Sequence, residues 1–225
     1  MATTKQTKTK TKKNRIDDHH IISLYMDDVL VHNEEPQNAF VFCRKHAIEE
    51  SDFYSFFGSL EAVKQAIWVK FFENAVVAIE KEPAFESYTD KNKLLTFYFT
   101  LFEILTLNRS YVLFSLQENK EGLKNLKNLK DFRNHFKDYV VNTIKSKPSE
   151  PYGKVAKVTE PIFSEGAWLQ FLFLLKFWLE DTSKGFEKTD VLIEKSVNTV
   201  VDLLDTKPLE SLLDLGKFLW KEKMQ

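Results

Sequence analysis

Ala47-Ile48-Glu49-Glu50-Ser51-Asp52-Phe53-Tyr54-Ser55-Phe56-Phe57-Gly58-Ser59-Leu60-Glu61 is the stretch whose reading decides the fold. Phe53 and Phe57 are spaced i, i+4, one helical turn apart, so both side chains fall on one face and read as core. Gly58 interrupts the pattern, and Ser59 offers an oxygen that can cap a new helix running to about Lys81. Upstream, Pro36 suits a first helical position, and a short helix to about His46 follows. Two short helices, the second from Ser51 to Phe57, joined by a turn of three or four residues make a helix-turn-helix. Asp17 or Asp18 can cap one more helix ahead of it, to about His32, with Ile22, Tyr25, Met26 and Val29 on one face. Asn33 tolerates the left-handed conformation that ends helices.

The rest of the chain repeats the helical pattern. Pro83 ends the long helix and opens a loop to about Thr89. Helices are expected over roughly 90–107, 109–119, 121–145, 162–181, 188–205 and 208–222. Pro148, Pro151, Gly153 and Pro161 mark the longest internal loop. Six Gly and six Pro among 225 residues are too few for a turn-rich all-β architecture. No Gly-rich phosphate loop occurs. The fold class is therefore all-α. A disordered basic arm spans 1–16, a three-helix helix-turn-helix domain 17–60 (with a linking helix over about 59–81), and a larger helical-bundle domain 82–225.

Cys43 is the one cysteine, so no internal disulfide can form, and a reducing compartment is expected. The N-terminal residues are basic, without an apolar signal region. The longest greasy stretch, Ala167 to Leu179, is 13 residues, against the roughly 20 that span a bilayer. A soluble cytoplasmic protein without membrane attachment is expected.

The quoted stretch resembles the recognition helix and following helix start of the TetR/AcrR repressor family. That pattern runs roughly G-V-S-x-G-T-F-Y-x-x-F-x-S-K-E, and Phe53, Tyr54, Phe57, Gly58, Ser59 and Glu61 keep it. Ile21 and Ile22 begin the first helix, Asn33 stands where the family has Gly, and Cys43 stands on its small packing residue. Phe177-Trp178-Leu179-Glu180-Asp181, Gly185 to Asp190 and Ile193 to Val197 resemble the C-terminal domain of TetR-like proteins. The resemblance covers most of residues 17–222. It implies a one-component transcriptional regulator, a homodimer whose helix-turn-helix binds double-stranded DNA under control of a small molecule in the C-terminal domain. The sequence departs from the pattern at Ala47 (the turn Gly), Glu49 (a polar cap), Asp52 (a Thr) and Leu60 (a phosphate-binding Lys).

Charge runs against that implication. Residues 17–60 hold nine acids and only Arg44 and Lys45 as cations, a net −7, while residues 1–16 hold six cations and no acid. Neutralising phosphates supplies most non-specific DNA affinity. The expected DNA contacts are Lys10, Lys12, Lys13 and Arg15 on the arm, with Arg44, Lys45, Ser51, Tyr54 and Ser55 on the helix-turn-helix. The alternative reading is a ligand-sensing or protein-interaction protein on the same scaffold that has lost DNA binding.

Aromatic clustering suggests an apolar ligand cavity lined by Phe99, Phe102, Tyr111, Trp168 and Phe171, fitting a hydrophobic small molecule, with Glu103, Arg109, Glu165 and Lys176 as candidates to orient a polar head. The same stripes also suit plain core. Ile193, Val197, Val200, Val201 and Leu204 form one helical face, expected with Leu209, Leu212, Leu213 and Leu219 to make the dimer interface. No catalytic constellation is visible, so no enzyme and no cofactor is expected. Asp17-Asp18-His19-His20 mixes metal-ligand types, but consecutive helical residues point apart and cannot converge on one ion. No metal site is expected.

Overall fold

The computed structural model describes residues 16–117, 124–143 and 153–204. The chain divides into two compact units, Met1–Lys64 and Gln65–Gln225. Among the described residues the regular structure is helical, with no strand.

The first unit is built from α1 (Asp18–His32), α2 (Ala39–Lys45), α3 (Glu50–Tyr54) and the start of α4 (Leu60–Glu80). Each boundary has a local cause. Asp17 caps α1, its carboxylate accepting from His20 N at 2.8 Å, and Asn33 ends it at φ 52°. Asn38 caps α2 through Val41 N at 2.9 Å, so Pro36 precedes the helix and does not start it. Ser59 Oγ accepts from Ala62 N at 3.1 Å at the head of α4. α3 stops at Tyr54, three residues short of the expected Phe57, in tight turns that close Phe56 N and Phe57 N onto Phe53 O. The core contains Ile21, Tyr25, Val29, Phe42 and Phe53, all fully buried, and Cys43 at 1% exposure. Lys64 Nζ reaches both oxygens of Glu35 at 2.6 and 2.8 Å.

The second unit holds the rest of α4, then α5 (Asp90–Leu107), α6 (Arg109–Gln117), α7 (Lys130–Thr143), α8 (Gly153–Glu180) and α9 (Glu187–Leu204). Thr89 caps α5 through Asn92 N. Short 3-10 turns cover Phe85–Ser87, Lys124–Leu129 and Lys184–Phe186. α8 begins nine residues earlier than Pro161 suggests and carries that proline inside it. α7 is shorter than its apolar stripe implied, because Lys124–Leu129 is a 3-10 turn and does not belong to the α-helix. The expected helix over 208–222 lies outside the described residues.

Rings fill this core. Phe97, Phe132, Phe136 and Phe171 are fully buried. Phe171 sits 5.0 Å from Phe132, 5.3 Å from Phe136 and 5.4 Å from Trp168, centroid to centroid. Each such side chain contributes about 1.5–3 kcal/mol by leaving water. α7 packs on α8, and α9 packs on both α5 and α8.

Candidate functional site

The turn between α2 and α3 sets what the first unit presents. Ala47 lies in the left-handed region at φ 54°. Ile48 N donates to Cys43 O at 2.9 Å, closing the turn and leaving Ile48 buried. This geometry drives Phe53 into the core against Phe42, 6.1 Å away edge to face. Ser51, Tyr54 and Ser55 are left exposed, Tyr54 by 53% with its ring edge on Phe53. Ser55 Oγ donates to Asp52 O at 2.6 Å, so that hydroxyl is engaged locally. Arg44 is exposed.

Lys45 is committed to an ion pair with Asp28 on α1. Asp28, only 7% exposed, also lies 3.1 Å from His32 Nδ1 and 3.5 Å from His46 Nε2. Burial pushes its carboxyl up, but Lys45 and His46 outweigh burial and hold it below the usual value. This cluster, which periodicity alone does not reveal, ties α1 to the end of α2. It also occupies one of the two cations in residues 17–60. Lys10, Lys12, Lys13 and Arg15 lie outside the described residues.

In the second unit a cavity of about 300 Å³ opens beside the C-terminal half of α5. Phe99, Phe102, Glu103, Thr106 and Leu107 line it from α5, Trp178 from α8, Gly185 and Phe186 from the turn, and Thr189 and Asp190 from α9. Of the residues expected to line a cavity, Phe99 and Phe102 do so here. Tyr111, Trp168 and Phe171 do not line this one. They are 1%, 6% and 0% exposed and belong to the packed ring cluster, where helical spacing looks the same as it would beside a pocket. Among the proposed head-group residues, only Glu103 lines this cavity. Glu165 is paired with Arg133 and Lys137, and Lys176 is exposed.

Arg109 is fixed against two of the rings that line the cavity. Its guanidinium lies 4.4 Å from the Trp178 ring and 4.5 Å from that of Phe186, and it donates to Trp178 O and Leu179 O at 3.0 and 3.1 Å. Trp178 Nε1 donates to Thr106 Oγ1 at 3.2 Å. Phe186 adopts φ 59°, directly after Gly185 at φ 62°. A bulky side chain at positive φ is unfavourable. Asp181 organises the same turn, accepting from Ser183 N and Oγ and from Thr189 N and Oγ1 at 2.7 to 3.0 Å. Burial alone would raise its carboxyl, but these four donors hold it well below the usual range.

The expected dimer face lies only partly within the described residues. Ile193 and Val197 are 0% and 1% exposed, buried within their own chain as α9 packs on α5 and α8, so they offer no surface to a partner. Val200 and Val201 are half-buried, the side chain of Leu204 falls outside what the structure describes, and Leu209, Leu212, Leu213 and Leu219 lie outside the described residues. Exposed apolar side chains occur instead on α8, at Leu169 (64%) and Phe173 (56%), one turn apart.

Among the described residues, a helix-turn-helix unit and a ring-filled helical unit define a two-unit, all-helical architecture. The family of tetracyclin repressor-like C-terminal domains matches residues 93–219, more than half of the chain. The protein belongs to the TetR regulator family. No curated protein matches the sequence. Among the described residues no helix is long and apolar enough to cross a membrane, and no cluster of His, Cys, Asp and Glu could hold a metal ion.

Proposed function

We propose that the protein is a one-component transcriptional regulator whose helix-turn-helix binds double-stranded DNA and whose C-terminal unit senses a small, largely apolar molecule. The observation that carries the reading is the turn at Ala47 and Ile48. It buries Phe53 and leaves Ser51, Tyr54 and Ser55 on the solvent side of α3. Membership of the TetR family supports it. The cavity beside α5 supplies room for the ligand, and switching requires that ligand to bind the DNA-competent and incompetent states unequally.

With Lys45 engaged by Asp28, the six cations of residues 1–16 must carry most of the phosphate contact. The test is a gel shift on the DNA upstream of the protein's own gene, across a salt series. Binding should fall with salt at a log–log slope of about −0.9 per phosphate neutralised. Deleting residues 2–15 should flatten that slope and weaken binding to all sequences alike. Tyr54→Phe should weaken binding modestly without changing the slope, since it removes an uncharged contact. The net −7 of residues 17–60 favours a second reading, a sensing or interaction protein without DNA binding. Absence of salt-sensitive binding to any duplex at low ionic strength would establish it over the first.

A further inference from the structure

We infer that the cavity beside α5 takes an organic cation, an ammonium or similar onium head carried on an aryl or alkyl body, with Trp178, Phe102, Phe99 and Phe186 receiving the body and Glu103 and Asp190 balancing the charge. The floor is apolar and fixed: Trp178 is fully buried and Phe102 is 3% exposed. Phe99 is 38% exposed at the mouth. Glu103 and Asp190 are exposed side chains that line the same cavity, and its lining among the described residues includes no Lys, Arg or His. An anionic ligand would meet two carboxylates with no cation among the lining residues, while a neutral ligand would leave them unused.

One further observation favours a cation, and one sets its place. The guanidinium of Arg109 already lies 4.4 and 4.5 Å from the rings of Trp178 and Phe186, so those faces are taken and the ligand's charged head falls beside Phe99, Glu103 and Asp190. Arg109 does not line the cavity and is held by the last carbonyls of α8, so it does not fill the place of a ligand. Asp181, held in its charged form by its four donors, adds negative potential beside Asp190, whose carboxyl is raised by burial and by that neighbour. A bound cation would relieve the repulsion. Phe186, kept at positive φ, closes the site as a wall whose backbone strain the Asp181-organised turn sustains.

The inference rests on the second unit being ligand-sensing, so its test reads binding without DNA. Full-length protein is titrated calorimetrically with phenylbutyl-trimethylammonium, with the neutral isostere carrying carbon in place of nitrogen, and with phenylbutanesulfonate. The cation should bind about tenfold more tightly than the isostere, a difference in the range of a desolvated cation–π contact plus two carboxylates. The sulfonate should not bind. Glu103→Gln and Asp190→Asn, both on exposed side chains, should not lower the thermal melt, should each lower cation affinity several-fold, and should leave the isostere's affinity as it was. Equal affinity for cation and isostere, or an unaltered cation affinity in the double variant, overturns the inference. A parallel gel shift separates the two readings. Cation binding with no DNA binding sinks the regulator reading alone, while a DNA response to apolar ligands without charge preference sinks the cation site alone.

Discussion

Ala47 holds a left-handed conformation that a Cβ disfavours by roughly 1–2 kcal/mol. Glycine removes that cost and gives back part of it through its freer unfolded chain. Ala47→Gly should therefore stabilise the first unit by about 0.5–1 kcal/mol, read as a higher urea midpoint with an unchanged slope. Gly185→Ala tests the converse. Space is open around that position, but its φ of 62° is not suited to alanine, so a loss of about 1 kcal/mol is expected. Asp28 gives a pH signature. Its folded carboxyl titrates below the unfolded value of about 3.9. The folded state then binds fewer protons between the two values, so its contribution is whole above about pH 4 and disappears as pH falls through the folded value. Asp28→Asn should cost about 1–2 kcal/mol at neutral pH and flatten the acid limb of a stability–pH curve. The substitution at Ala47 is visible in the sequence as a missing glycine. Its backbone angle is not, because an alanine there could equally have marked a different turn. The Asp28 cluster is invisible to periodicity, since Asp28, Lys45 and His46 meet only once α1 and α2 have packed.

At the scale of elements, caps made two helix starts legible: Asp17 and Ser59 each hold the oxygen that the structure uses. Reading failed where a residue has more than one use. Pro36 could open a helix, but Asn38 caps it, and Pro161 could mark a loop, but α8 runs through it. α9 shows the deeper ambiguity. Its apolar face was evident, yet periodicity tells which side of a helix is greasy and not which neighbour covers it. The structure covers Ile193 and Val197 with α5 and α8 of the same chain. Ile193→Ala should hence cost about 2–5 kcal/mol of stability by opening a cavity, measured by denaturant melting. Asp181 pins the start of the same helix. Asp181→Ala strips four donors of their acceptor and should cost about 2 kcal/mol, with Asp181→Asn less damaging because one oxygen remains.

For the whole molecule, the proposed DNA binding raises the question of how two copies would meet. A TetR-family regulator reading a two-fold DNA site requires a symmetric pair, and the exposed Leu169 and Phe173 of α8 are better placed for it than the buried face of α9. Phe173→Glu should yield a monomer by sedimentation at micromolar concentration while the melt of the isolated protomer is retained. Ile193→Ala, by contrast, should weaken the fold and keep the pair. If Phe173→Glu sediments as a dimer, the contact lies elsewhere. The lone thiol turns these arguments into a clock. Cys43 is the chain's one cysteine, sits in the core of the first unit at 1% exposure, and is made less acidic by burial and by Glu50. A thiol reagent can reach it only when that unit opens, so its labelling rate counts openings of the helix-turn-helix half and ignores the other. Slower labelling on addition of a ligand to the second unit would then be communication between the halves, timed by a single sulfur atom.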